Sequence, residues 1–237
     1  IDAGMVNKQL EQALWGIGVD ADSIRNIFIT HEHTDHVKGL KVFSKKHKSR
    51  VFMTAGTYEA LAKTDALDNV EECKIITSDG VDVGCMHVKP FAISHDCIEP
   101  CGYTIQMANG RKFAVATDLG IMTDTVMNAL RGSDLVMLES NHDVNMVQCG
   151  GYPYMLKRRI LGVKGHLSND ACAEALTELV KNGTTRIFLG HLSRENNVPQ
   201  LAYQTSVSAL EMIGAREGED YFIRVAKPMW DEKALVL

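Results

Sequence analysis

The chain has 237 residues, 45% of them apolar, which is enough for one large domain with a sizeable core. Against 25 Lys and Arg stand 30 Asp and Glu, a net charge of −5; this is not the basic balance of a typical nucleic-acid binder, although two bound divalent cations would reverse the field at a site. The 6 cysteines are scattered, too sparse for a secreted disulfide scaffold, and read as reduced thiols of a cytoplasmic protein.

Ile1-Asp2-Ala3-Gly4 reads as the end of a strand entering a turn, and a strand is expected before it. Leu10, Leu14 and Ile17 recur at helical spacing and predict a helix over 6–17. A short buried strand over 26–30 leads into the run His31-Glu32-His33-Thr34-Asp35-His36, and a helix is expected from Val37 to Lys46. A strand at 51–53 and a helix over 57–66 follow. The texture then turns to strands at 74–76, 81–83, 86–93, 103–107 and 112–116, with Asn109-Gly110 as a hairpin turn. A helix over 123–130, a strand at 135–138 and a helix over 141–147 come next. Ser168 reads as the N-cap of a helix over 170–181, closed by Asn182-Gly183. A strand at 186–189, a helix over 199–213 and a strand at 221–225 complete the pattern.

No repeat, low-complexity tract or linker interrupts the chain, so a single domain over 1–237 is expected. No apolar run approaches the ~18 residues of a membrane span, and no signal peptide is evident. Two blocks of strands with flanking helices predict an α/β four-layer sandwich: two mixed sheets packed face to face, helices outside. The strand-only middle argues against strict βαβ alternation.

Three imidazoles and a carboxylate within six residues, after an apolar strand, point to metal chemistry. On a loop leaving a strand, His31 and His33 can serve one metal, and Asp35 and His36 a second. Imidazole with carboxylate suits zinc, manganese or iron. Three later strands end in the same way: Ser94-His95-Asp96, Thr117-Asp118-Leu119-Gly120 and Gly190-His191. One His or Asp at a strand end is usually a cap or a surface group; the recurrence after the histidine run is the signal.

The order HxHxDH, His, Asp, His resembles the metallo-β-lactamase superfamily. Glu139-Ser140-Asn141-His142-Asp143, Gly165-His166-Leu167-Ser168-Asn169 and the stretch from Gly190 to Asn197 resemble its YycJ/WalJ branch of bacterial exonucleases, and the likeness runs from Ile1 to about Val225. The resemblance implies an αββα metallo-β-lactamase sandwich and two divalent ions, zinc or manganese. His31, His33 and His95 would hold one; Asp35, His36 and His191 would hold the other. Asp118 would bridge them, and Asp2 would orient the histidine loop. Asp35, Glu139 and His166 are the expected catalytic residues, with Glu139 and His166 as a dyad near the scissile phosphate. The alternative for that dyad is a buried hydrogen bond that ties two loops. His142 could line the site, serve as a ligand or cap its helix.

Lys157, Arg158, Arg159 and Arg194 are the expected phosphate contacts, the bland reading of the first three being a solvated helix face. Cys97 and Cys101 read as packed thiols, and His47 and His87 as ordinary. The expected activity is cytoplasmic, metal-dependent phosphodiester hydrolysis, with DNA digested from a 5′ end and no membrane partner. Competing readings are a small-molecule hydrolase on the same site (a glyoxalase-like thioesterase or a cyclic-nucleotide phosphodiesterase) and a non-catalytic metal-binding scaffold. A cysteine would often stand at Asp118 in a zinc lactamase of this fold.

Overall fold

The computed structural model describes residues 1–227, which fall into two compact units; the end of the expected domain, 228–237, lies outside the described residues. The first unit is Ile1–Gly84 with Cys97–Cys101, and the second is Cys85–Asp96 with Gly102–Lys227.

In the first unit, α1 (Asn7–Gly16) and a short 3-10 turn (Ala21–Ser23) precede β1 (Asn26–Phe28). Then come α2 (Thr34–Val37), α3 (Leu40–His47), β2 (Arg50–Met53), α4 (Ala55–Leu61), β3 (Cys73–Ile75) and β4 (Val81–Val83). β1, β2 and β3 form one sheet in that order, and both pairings are parallel. The expected pair of sheets is present, and this one is parallel rather than mixed over the described residues. Helices lie between β1 and β2 and between β2 and β3, and such crossovers return the chain in the same direction. Ile27, Ile29, Val37, Leu40, Phe43, Val51, Met53 and Leu61 make the core of this unit.

The expected helix over 37–46 is broken and begins earlier. His33 is the extended residue before α2, so Asp35 and His36 lie in a helical turn rather than on an open loop. α2 and α3 part at Lys38-Gly39. A Cβ on Gly39 would stand 2.1 Å from the Met5 carbonyl, so only glycine lets the N-terminal segment pass there.

The second unit opens with β5 (Met86–Ala92), β6 (Cys101–Met107) and β7 (Lys112–Ala116). Next come α5 (Asp124–Leu130), β8 (Leu135–Glu139), α6 (Val144–Cys149) and α7 (Tyr154–Ile160). α8 (Asn169–Lys181), β9 (Arg186–Gly190), α9 (Pro199–Met212) and β10 (Phe222–Val225) follow. The sheet is mixed: β10, β9, β8 and β7 are parallel neighbours, and β6 runs antiparallel to β7 across the Asn109-Gly110 turn. Ser168 caps α8 by accepting from the Ala171 N–H. Ala114, Ala116, Val136, Leu138, Ile187 and Leu189 bury the sheet against Leu176, Leu179 and Leu210. Among the described residues no helix is long and apolar enough to cross a membrane.

Candidate metal centre

The second unit's register explains its site. Ala116, Leu138 and Leu189 are aligned across β7, β8 and β9, and Glu139 is opposite Gly190. The carboxyl ends of three adjacent parallel strands thus deliver Asp118, Glu139 and His191 to one sheet edge, where open α/β sheets commonly bind ligands. Donor atoms of Asp118, Glu139, His166 and His191 all lie within 4.8 Å of one another.

Glu139 is fully buried and engaged on both oxygens. Oε2 accepts from the backbone N–H of Leu119 at 2.9 Å and of Leu167 at 3.1 Å. Oε1 lies 2.9 Å from His166 Nδ1 and 2.6 Å from His191 Nδ1. Burial opposes ionisation, but the bonds to His166 and His191 outweigh it and hold the carboxyl below the usual carboxylate range. A carboxylate only accepts, so both rings must carry their proton on Nδ1, which leaves Nε2 as the basic nitrogen.

His95 follows the same rule. Its Nδ1 sits 3.1 Å from the Gly165 carbonyl, which again makes Nε2 basic. Nε2 is 3.8 Å from Asp118 Oδ1. Two ligand atoms on one metal with ~2.1 Å bonds stand about 3–4 Å apart. Burial chiefly lowers the His95 pKa, which favours the neutral ring a metal needs. Gly165 cannot be larger, since a Cβ would meet the Ile160 carbonyl at 2.1 Å.

The first unit repeats the arrangement with Asp2 as the anchor. Asp2 Oδ1 accepts from the Thr30 N–H at 2.8 Å, and Oδ2 from Thr30 Oγ1 at 2.9 Å. His36 Nδ1 lies 2.8 Å from Asp2 Oδ2, and His31 Nδ1 lies 3.0 Å from Thr30 Oγ1. The Thr30 hydroxyl gives its one proton to Asp2, so it accepts from His31. Both rings therefore present a basic Nε2. Asp35 is exposed, with Oδ2 3.8 Å from His36 Nε2. A Cβ on Gly4 would collide with the Asp35 carbonyl at 1.6 Å, which explains the glycine after Asp2-Ala3.

The basic residues divide. Arg159 enters a hollow of about 280 Å³ in the second unit, lined also by His95, His166, His191 and Lys164, and its Nε donates to Asp96 Oδ2 at 2.6 Å. Lys157 and Arg158 line a different hollow. Lys157 donates to the Gln148 carbonyl at 2.7 Å, and the Arg158 guanidinium sits 5.9 Å from the Tyr154 ring centroid. Arg194 is exposed and lines neither. His142 is buried and lines neither as well, and burial lowers its pKa. Asp143, not His142, caps α6, which begins at Val144 rather than at Asn141.

Sequence reasoning passed over Thr30, Lys164 and the Gly165 carbonyl, and it read as a packed thiol Cys97, whose Sγ lies 3.4 Å from His33 Nε2. Thr30 alone carried a signal: a hydroxyl at a strand end next to the histidine run.

Tethered imidazoles and carboxylates gathered at strand ends define a metal-binding α/β protein, and the donor set suits a borderline divalent cation. The chain belongs to the beta-lactamase superfamily: the family described as "Beta-lactamase superfamily domain" matches residues 1–192. It is 35% identical to Exodeoxyribonuclease YycJ from Bacillus anthracis, over 98% of this chain and 88% of that protein. It is 33% identical to Exodeoxyribonuclease WalJ from Streptococcus pneumoniae, over 96% of this chain and 86% of that one. Among solved structures it shares its fold with YhfI from Bacillus subtilis, a metallo-beta-lactamase fold protein (TM-score 0.70, 14% identity, 97% of this chain and 84% of that one). Human tRNase Z, short form, matches with TM-score 0.57 and 19% identity over 81% of each chain. The metallo-β-lactamase fold and the family expected from the sequence both hold.

Proposed function

We infer that this chain is a cytoplasmic, divalent-metal-dependent phosphodiesterase that removes nucleotides from a 5′ end of DNA. One observation carries the metal chemistry. His31, His36, His95, His166 and His191 each have Nδ1 against an oxygen acceptor, at 2.6–3.1 Å. A shared tautomer on five rings has no use in a solvated loop. It is the tautomer that Nε2 ligation requires. Within that reading, the ligand set that the resemblance implies would be His31, His33 and His95 for one ion, Asp35, His36 and His191 for a second, and Asp118 for both. Zinc and manganese both suit these donors.

Two such ions, when bound, would supply an activated water and neutralise charge on the phosphate. The chain's own residues do the rest. Asp2 and Glu139 fix the ligand rings. His166, held by Glu139, gives a proton from Nε2, acquired from solvent, to the leaving oxygen. Arg159 and Lys164 line the hollow beside His166 and contact the phosphate. The choice of DNA rests on the two exodeoxyribonuclease relatives.

The test is digestion of a 5′-phosphorylated, end-labelled DNA duplex with Mn²⁺ or Zn²⁺, beside matched single-stranded DNA and RNA and an Asp118→Ala variant. Stepwise loss from the 5′ end, absent in the variant, is the expected result. Metal-loaded protein that cleaves none of the polymers, or Asp118→Ala with full activity, refutes the assignment.

A further inference from the structure

His33 is tethered unlike the five rings above. The atom against its Nε2 is a sulfur, Cys97 Sγ, at 3.4 Å. The segment that carries this thiol is fastened to the first unit at four points. The Ile98 N–H donates to Glu32 Oε1 at 2.9 Å, and the Gly56 N–H to Glu99 Oε2 at 2.6 Å. Thr54 Oγ1 donates to the Glu99 carbonyl at 2.8 Å, and the Cys101 N–H to the Thr30 carbonyl at 3.0 Å. Gly56 makes this fit tight, because a Cβ there would lie 2.5 Å from Glu99 Cβ. The fold therefore builds the position of Cys97 rather than leaving it to a loose loop.

Donor atoms of His31, His33 and Cys97 all lie within 4.8 Å of one another. An imidazole nitrogen and a thiolate on one zinc, with bonds of about 2.0–2.1 and 2.3 Å at the angles of four- or five-coordinate sites, stand ~3.1–3.8 Å apart. The observed 3.4 Å falls in that range. An S–H···N hydrogen bond also accommodates it, and the two arrangements make different predictions.

We propose that Cys97 is a thiolate ligand of the ion held by His31 and His33, which biases that position towards zinc and away from manganese. The inference rests on the metal reading given under Proposed function. On binding, the S–H bond breaks, a metal–sulfur bond forms and the proton passes to solvent. The charge of the site falls by one. A soft sulfur donor favours zinc, whereas manganese prefers oxygen.

The experiment loads the metal-free protein with Co²⁺ and records its absorption spectrum. Visible ligand-field bands report cobalt among the nitrogen and oxygen donors; an added near-ultraviolet sulfur-to-cobalt band reports Cys97. The expected spectrum has both. The ultraviolet band vanishes in Cys97→Ser and Cys97→Ala and persists in Cys85→Ser, whose thiol is exposed elsewhere. Loss of a ligand should cost at least what loss of an outer-shell partner does, so Zn²⁺ affinity drops ~10-fold or more in Cys97→Ala. Mn²⁺ affinity changes far less. Visible bands without the ultraviolet one in the unmutated protein, or an ultraviolet band that survives Cys97→Ser, overturn the proposal while leaving the metal reading intact. Absence of all cobalt bands overturns both. Cys97→Ser is nearly isosteric and keeps the test open if Cys97→Ala does not fold.

Discussion

Replacing Glu139 with Gln tests the tethering argument with the smallest change of shape. The carboxylate accepts four bonds, two on each oxygen. A glutamine has one oxygen and one NH₂. Whichever way it turns, the NH₂ faces two donors. The backbone N–H groups of Leu119 and Leu167 cannot change, so the amide oxygen takes that side. His166 and His191 then face an N–H and must accept on Nδ1, which moves their proton to Nε2. A buried donor left without an acceptor costs ~1–3 kcal/mol, so two unrelieved clashes would cost about 2–6 kcal/mol. Tautomer exchange relieves most of this, at the expense of the Nε2 lone pairs. The expected result is a modest fall in the thermal midpoint with a ~10–100-fold loss of metal affinity, the scale seen when outer-shell partners of ligating histidines are removed. Competition against a chelating dye measures the affinity, and the exonuclease assay at saturating metal measures what remains. Unchanged affinity in a folded Glu139→Gln protein refutes the assigned tautomers.

Gly4→Ala places a Cβ 1.6 Å from the Asp35 carbonyl, so the backbone of one segment has to move. Overpacking of this kind costs ~1–3 kcal/mol or more. The expected outcome is a lowered thermal midpoint together with weakened metal binding, because Ala3 is bonded to His36 through its backbone; a stable variant with unaltered metal affinity would refute the claimed coupling. Glu11 supplies a pH test. Bonds from Lys46, Asn7 and His47 hold its carboxyl down to about 2, against an ordinary value of 4.5. A depressed folded pKa contributes stability above the unfolded value, lost as pH falls towards the folded one. The urea midpoint of Glu11→Gln should lie below that of the unmutated protein at pH ~7, and the gap should narrow between about 4.5 and about 2. A gap constant with pH excludes the ionic contribution.

The order of the candidate ligands was legible because these residues follow apolar strands, and a strand is the easiest element to see in a buried sheet. The tethers were less visible. Glu139 stands in the sequence as a strand-end acid, and only the alignment of β7, β8 and β9 shows that it reaches two histidines at once. The break between α2 and α3 escaped because it comes from a distant contact, the Met5 carbonyl against Gly39. Lys157, Arg158 and Arg159 look like one patch when written in a row. On α7, successive residues point ~100° apart and do not share a face. Arg159 therefore joins the histidines while its neighbours turn to another hollow. Lys164 and Cys97 depend on how loops close, which no local pattern encodes.

Three residues of the candidate site adopt a backbone conformation that costs energy. Asp2, Asp118 and His191 have φ of +57°, +59° and +55°, in the left-handed region. There an L-residue costs roughly 1–2 kcal/mol. Glycine relieves most of that cost and stands at several other positive-φ turns of this chain, Gly110 and Gly183 among them. Local bonds hold the strained residues in place. The Asp2 N–H donates to the Phe28 carbonyl at 2.8 Å, and Asn141 Nδ2 donates to the His191 carbonyl at 2.8 Å. Past Asp118, the Leu119 N–H is bound by Glu139 and the Gly120 N–H by the Ser94 carbonyl. Turn geometry alone is satisfied by glycine at all three places. Lys48 and Asn69 share this backbone region, so the conformation alone does not mark a site; at Asp2, Asp118 and His191 it coincides with the carboxylates and the imidazole that the metal reading requires.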